Sequence, residues 1–292
     1  MADFAIYTAH PGGCNCWNYA PGPRNLPRAA ALEQRDMTLK HLLRVSLSTL
    51  AACVMALTCA VSGAQGWRNA SSEPVGLAPD AATTPEAVVQ VYSARTWGWR
   101  GYFGVHTWIA VKPARAGAYT VYEVIGWQLR WSDSAVSIRQ RAADARWYGN
   151  APELLADKRG AEAEALIPRI DQAARSYPYA GEYSAWPGPN SNTFTAWVAR
   201  AVPELEVHLP PTAIGKDYLR DQVFAKAPSG SGLQFSFYGL LGLLASSVEG
   251  VELNVLGLTF GIDPFSPAIK LPLIGRLGAS PLPAFAEARA KD

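Results

Sequence analysis

The sequence has very few residues for metal or thiol chemistry. Its four cysteines all lie before residue 60, at Cys14, Cys16, Cys53 and Cys59. Residues 65–292 therefore hold no disulfide framework, no cysteine-ligated metal and no thiolate nucleophile. The histidines of this part are His106 and His208, and neither a Gly-rich phosphate loop nor an HExxH motif is present. We expect no metal and no cofactor.

Charge is also scarce. Charged residues make up 17% of the 292 residues, the formal net charge is +2, and acidic and basic residues balance within residues 65–292. This balance argues against a nucleic-acid partner, which attracts basic proteins. The 22 prolines, 25 glycines and 10 tryptophans, against 3 methionines, are typical of a turn-rich, mixed or β-weighted fold rather than a helical bundle.

One long apolar run, residues 45–64, reaches the roughly 20 residues of a membrane span. Lys40, His41 and Arg44 precede it like the positive region of an export signal, and Ser62-Gly63-Ala64 offers a cleavage site. We therefore predict a start at Met37, an unstructured upstream extension over residues 1–36, and a signal peptide or retained membrane anchor over residues 37–64. A lipoprotein signal ending at Cys53 is a weaker alternative. The remainder would lie in the periplasm, anchored to the bacterial inner membrane or released.

The remaining chain divides into a linker over residues 65–86, one globular domain over residues 87–278 and a tail over residues 279–292. Runs of β-branched and aromatic residues predict a first strand near residue 87 and a β-hairpin around the turn at 113–118. Helices are predicted from Glu162 to Ser176, with Pro168 in the first turn or at a kink, and after Asn190, before Pro203. Residues 233–263 suggest a second hairpin turning at Glu249-Gly250, or a segment lying on a membrane surface.

Three residues could form a catalytic site. Ser191 opens the second helix, where backbone N–H groups could stabilise an oxyanion, and His106 is the better placed general base. If Lys112 pairs with Gly117, Glu123 lies opposite His106 and could orient its imidazole. The alternative is that Ser191 only caps its helix.

Several long strings resemble a bacterial envelope family, domain of unknown function 3750. They include ARTWGWRG (94–101), VHTWIAVKP (105–113), YEVIGW (122–127), WPGPNSNTF (186–194) and LPPTAIGKD (209–217). The resemblance implies one domain over about 87–278 behind an N-terminal hydrophobic segment. It implies no established activity.

A more remote resemblance is to circularly permuted papain-like hydrolases. His106 corresponds to their strand histidine, Asn190, Asn192 and Phe194 to the residues around their nucleophile, and Ser191 stands where they have cysteine. This resemblance implies an α+β fold in which a permuted papain-like antiparallel sheet packs on helices. The apolar run predicts that an N-terminal hydrophobic helix precedes this fold.

The expected function is a serine-dependent acyl or amide hydrolase acting on lipid or peptidoglycan-related substrates, with Ser191, His106 and Glu123 as catalytic residues. The alternative is a non-catalytic module that binds a lipid or peptidoglycan fragment in the same cleft. The candidate binding residues are Trp108, Trp186, Asn190, Asn192, Lys216 and Asp217. A tryptophan on a strand is more often a core residue, and a pair such as Lys216 with Asp217 is more often a surface ion pair.

Overall fold

The computed structural model describes residues 69–279. Two antiparallel sheets and two α-helices make up this part of the chain, as expected of an α+β protein. The predicted extension (1–36), the hydrophobic segment (37–64) and nearly all of the tail lie outside the described residues. Among the residues that are described, no helix is both long and apolar enough to cross a membrane.

The first sheet has five strands in the order β4-β3-β2-β1-β5, and its residues are rich in valine and aromatic side chains. Its strands are β1 Val88–Arg95, β2 Val105–Lys112, β3 Thr120–Val124, β4 Val136–Gln140 and β5 Glu153–Arg159. All of β2 and nearly all of β1 are buried, because both faces of this sheet are covered.

The predicted hairpin is confirmed as β2 and β3, but its register differs from the prediction. Val111 pairs with Thr120 and Ile109 with Tyr122, whereas pairing Lys112 with Gly117 would require partners two residues closer. The loop between the strands is longer than a tight turn and includes Arg115 at a positive φ of 62°. A shift of two residues keeps every side chain on its predicted face.

The two helices cover one face of the first sheet, which we call the helix face. Helix α1 spans Gly160–Arg175 and helix α2 spans Ser191–Ala201. Both predicted helices are therefore confirmed, although Pro168 lies inside α1 and not in its first turn. Phe194 and Val198 of α2 are fully buried against the helix face, as their spacing predicted.

The opposite face of the first sheet, which we call the aromatic face, is covered by part of the predicted linker. Pro74 forms an isolated bridge with Ala145, and the backbone N–H groups of Leu77 and Ala78 donate to Asp144 Oδ2 at 2.6 and 3.2 Å. Leu77, Ala78 and Ala81 pack against the buried residues of this face. The linker prediction is thus wrong for this stretch, since its apolar residues close a second core.

The second sheet is an antiparallel meander of seven strands, β6 to β12, which follow one another in chain order. The predicted turn at Glu249-Gly250 is confirmed between β8 and β9, but the sheet is much larger than one hairpin. Its strands are β6 Phe224–Lys226, β7 Gly232–Phe237, β8 Leu241–Ser246, β9 Gly250–Val255, β10 Leu258–Asp263, β11 Ala268–Leu271 and β12 Gly275–Gly278.

Candidate functional site

His106 on strand β2 and Ser191 at the start of helix α2 lie at different sites. Thr107 faces the helices, where its hydroxyl donates to Ser191 O at 3.2 Å and lies 3.0 Å from Asn192 Oδ1. Successive side chains of a strand point to opposite faces, so His106 belongs to the aromatic face. No hydrogen bond joins His106 to Ser191 within residues 69–279. The predicted nucleophile and base are therefore not brought together.

The start of α2 is a structural junction. Asn190 Oδ1 accepts from the backbone N–H groups of Asn192 and Thr193 at 2.9 and 3.2 Å, which forms a capping box with Thr193. Asn192 Nδ2 donates to Val105 O and Ile214 O, so it ties β2 to the loop after α2. Two N–H groups that could have formed an oxyanion hole are thus already satisfied. Ser191 is itself buried.

We expect Asn190→Ala to lower the free energy of unfolding by about 2 kcal/mol, because it removes the cap and both carbonyl contacts of the Asn190 amide. Ser191→Ala is the matched control at the next position. Its Oγ forms no hydrogen bond in the described part of the chain, so we expect a loss below about 1 kcal/mol. Urea unfolding of the two variants checks this order, and equal losses would contradict it.

On the aromatic face, His106 and Glu123 form a buried pair. His106 Nε2 lies 3.0 Å from Glu123 Oε2, and the side chains are 6% and 0% exposed. The observed register places Glu123 beside Trp108, diagonal to His106 on the same face. The predicted contact is present although the predicted pairing is wrong. With Nε2–H donated to Glu123, the acceptor lone pair of a neutral imidazole lies on Nδ1.

Two arginines complete the environment of Glu123. Arg139 Nη2 donates to Oε1 at 3.3 Å, and Arg141 donates to both carboxylate oxygens at 3.3 Å. Burial alone would raise the pKa of Glu123, but the hydrogen bond with His106 and the charge of Arg141 lower it to about 2. Burial lowers the pKa of His106 despite the carboxylate beside it. We therefore infer an ionised Glu123 and a neutral His106 at neutral pH.

Four aromatic rings form a stack from the core to the surface. The His106 ring lies between Trp108 and Trp147, with centroids at 5.8 and 3.6 Å, and Trp127 follows Trp147 at 5.9 Å. Trp108 is fully buried and donates to Ala143 O at 2.7 Å, which favours its interpretation as a core residue. Trp127, at the outer end, is 41% exposed.

Tyr148 and Arg139 flank the outer part of this stack. The Tyr148 ring meets Trp127 and Trp147 edge-on at 5.9 and 5.1 Å. The Arg139 side chain is 55% exposed while it remains paired with Glu123. The surface thus offers aromatic rings beside a positive charge that still has free donors.

Residues 86–218 match the family model described as protein of unknown function (DUF3750). The match supports the DUF3750 family. It contains the whole first sheet, both helices and all the residues of the stack, and it ends before the second sheet. No curated protein and no solved structure matches the chain.

Sequence reasoning missed several residues of the DUF3750 region that surround His106, namely Trp127, Arg139, Arg141, Trp147 and Tyr148. The two arginines lie on or just after β4, whose alternating Val136-Ser137-Ile138 was obscured by the arginines and alanines around it. Trp147 and Tyr148 lie in a loop, so no periodic pattern indicated which way their rings point. The available signal was the density of arginine and aromatic residues between 139 and 148.

The remaining predicted binding residues lie elsewhere. Trp186 is 53% exposed, and its indole donates to Leu256 O at 3.0 Å in the second sheet. Lys216 and Asp217 are buried and form an ion pair at 3.1 Å. The surface-pair interpretation is therefore wrong, and neither residue is open to an external carboxylate or phosphate.

Lys216 and Asp217 belong to a charged network beneath the second sheet. Glu252 pairs with Lys216 at 2.5 Å and with Lys270, and Lys270 Nζ lies 2.6 Å from His208 Nε2. His208 is buried, and burial together with the charge of Lys270 lowers its pKa to about 3. This network joins the second sheet to the DUF3750 region. Across residues 69–279, no group of His, Cys, Asp and Glu residues is arranged to hold a metal.

Proposed function

We propose that the DUF3750 region is a non-catalytic binding module of the bacterial cell envelope, which holds a carboxylate-bearing glycan such as a peptidoglycan fragment. The observation that carries this proposal is the stack of Trp108, His106, Trp147 and Trp127, which ends in an exposed ring. Glu123, the partner of His106 in this stack, also pairs with the half-exposed Arg139. The envelope location rests on the hydrophobic segment over residues 45–64.

The stack supplies a rigid platform for a sugar. A pyranose ring presents a row of C–H groups that packs against the face of an indole, and the energy comes from contact area and ring polarisation. Trp127 is held by Trp147, which is held in turn by His106, so little side-chain freedom is lost on binding.

Arg139 supplies the recognition of charge. Its guanidinium shares Glu123 with Arg141, and Arg141 lies over the Trp108 ring at 5.1 Å. Arg141 is mostly buried, whereas Arg139 reaches solvent and can donate to a second carboxylate. Muramyl sugars and stem peptides carry carboxylates that such a donor would bind.

The serine-dependent hydrolase is less well supported, for three reasons. Ser191 has no histidine within hydrogen-bond reach among the described residues, its neighbouring N–H groups are used by Asn190, and its residue is buried. A relationship to permuted papain-like hydrolases remains a proposal. It draws on the order of a strand histidine followed by an Asn-Ser-Asn helix start, in a sheet covered by that helix.

Binding to soluble muropeptides, measured by titration calorimetry on the full-length protein, tests the module. We expect Trp127→Ala and Arg139→Gln each to weaken binding about tenfold, because each removes one exposed contact. Trp131→Ala and Arg130→Gln are the matched controls, since both residues are exposed on the neighbouring turn and lie outside the stack. Absence of binding, or equal losses in the controls, would overturn the proposal.

A further inference from the structure

The second sheet carries its apolar side chains on the outside. Cross-strand pairing aligns the exposed residues in rows, one of which runs from Leu233 through Ala245, Val251 and Ile262 to Ile269. Leu233 is 72% exposed and Ile262 is 58% exposed. We call this side the outer face. It consists of the side chains of β6 to β12 that cross-strand pairing places on the side of this row, among them Phe224, Lys226, Leu243, Leu253, Phe260 and Leu277.

The inner side of the same strands is polar. Gln234, Glu252, Asn254 and Lys270 point inward and are buried. The first three bond to Lys216 or Asp217, and Lys270 bonds to Glu252. This is the reverse of a soluble sheet, in which the apolar side faces the core. Because the buried charges require their partners, the sheet cannot turn its apolar side inward.

The outer face is larger than the surface of an ordinary soluble domain allows. All seven of its strands expose a large apolar side chain on this side, whereas the largest apolar patch of a typical monomer covers only a few hundred Å². Lys226, on the terminal strand β6, is its one charged residue within the described part of the chain. Such a face requires an apolar cover.

The path of the chain indicates what provides that cover. Ser71 O accepts from Gly149 N at 2.9 Å, Asn150 Nδ2 donates to Arg95 O at 2.9 Å, and Arg95 Nη2 donates to Leu273 O at 3.0 Å. Asn150 and Arg95 therefore link the start of the described chain to the turn between β11 and β12. The apolar run that the sequence predicts to enter a membrane ends at Ala64, a few residues before Ser71.

The same end of the second sheet has the residues found where proteins meet lipid headgroups. The turns at this end expose Tyr238, Leu256, Leu273 and Ile274. Beside them, Arg95 Nη1 donates to Gly101 O at 3.2 Å and so holds the short helix with exposed Trp99 and Tyr102. Tryptophan and tyrosine favour the interface between lipid and water, where an apolar ring and a polar atom are both satisfied.

We propose that the outer face lies on the surface of the membrane into which residues 45–64 insert, with its apolar side chains in contact with lipid. The occupant is the bilayer and not a second copy of the chain. The reasons are the near absence of charge, the aromatic residues at one end, and the return of the chain to that end. Contact with lipid would hold the stack of the DUF3750 region at a fixed height above the bilayer.

Photocrosslinking of the full-length protein tests this contact. The protein is reconstituted in vesicles of phosphatidylethanolamine and phosphatidylglycerol that include a phospholipid with a diazirine in its acyl chain, and mass spectrometry maps the lipid adducts. We expect adducts on peptides of β7 to β10 about tenfold above those on α1, which has a polar exposed side. Adducts confined to residues 45–64, or a dimer that hides the outer face, would overturn the proposal.

A pair of variants adds a second readout. Leu243 and Leu253 are directly paired and exposed, so replacing both with aspartate should leave the fold intact and lower the remaining adducts on the outer face about fivefold. Ala165→Asp adds a charge on the exposed side of α1, away from the outer face, and should not change the yield of lipid adducts. Unchanged adducts in a folded double variant would contradict lipid contact, whereas binding to muropeptides is measured separately and does not depend on it.

Discussion

Replacing Glu252 with glutamine is expected to lower the free energy of unfolding by about 3–5 kcal/mol. Glu252 is 2% exposed and pairs with both Lys216 and Lys270. Burial alone would raise its pKa, but the two lysines lower it, so it is ionised. Without this carboxylate, Lys270 would remain buried with no anionic partner among the described residues. Urea unfolding at neutral pH measures the loss.

Glu206→Gln is the matched control for this effect. Glu206 pairs with Lys158 at 2.8 Å, but its side chain is 71% exposed, so we expect a loss below about 1 kcal/mol. A Glu252→Gln protein no less stable than the Glu206→Gln protein would show that the network does not hold the second sheet in place.

Glu123→Gln is expected to destabilise the protein by about 3 kcal/mol at pH 7. The pKa of Glu123 is about 2 in the folded protein and ordinarily 4.5, and each unit of difference corresponds to about 1.4 kcal/mol. Because the folded pKa is the lower one, this stabilisation is fully present above pH 4.5 and is lost as the pH falls toward 2. The Glu123→Gln protein has no carboxylate at this position and should lack this pH-dependent stabilisation.

Urea unfolding of the native protein and the Glu123→Gln variant across this pH range measures the difference in their free energies of unfolding. We expect it to narrow from about 3 kcal/mol at pH 7 to near zero at pH 2. Glu153→Gln changes an exposed side chain of β5 and should change the free energy of unfolding by less than about 1 kcal/mol at pH 7. A difference between Glu123→Gln and the native protein that does not change with pH would refute the ionised, hydrogen-bonded carboxylate described above.

In the first sheet, the sequence predicted where strands and helices lie better than which side of each strand faces the helices. The hairpin of β2 and β3 and helix α2 with its Asn190 cap follow from local patterns, because β-branched runs and capping residues act over a few positions. Which face of β2 meets α2 could not be predicted in the same way. Both faces are buried, so residues 105–112 are apolar on each side, and alternation did not distinguish His106 from Thr107.

The second sheet shows a different limit of prediction from the sequence. Its alternation of apolar and polar residues predicts strands, and the usual rule then places the apolar side inside. Here Glu252 is inside because it pairs with Lys216, far away in the chain, and Lys270 is inside because it pairs with Glu252 and contacts His208. Such long-range ion pairs leave no local pattern. The membrane-surface interpretation of this segment recorded its apolar content but could not predict the sheet.

We propose that the DUF3750 region binds a ligand and is not a serine hydrolase, because His106 and Ser191 lie at two separate sites. Treating the full-length protein with a fluorophosphonate, followed by peptide mass analysis, tests it most directly. We predict no adduct on Ser191, because no base lies within about 3 Å of its hydroxyl among the described residues. An adduct on Ser191 that is lost in both Ser191→Ala and His106→Ala proteins would contradict the account.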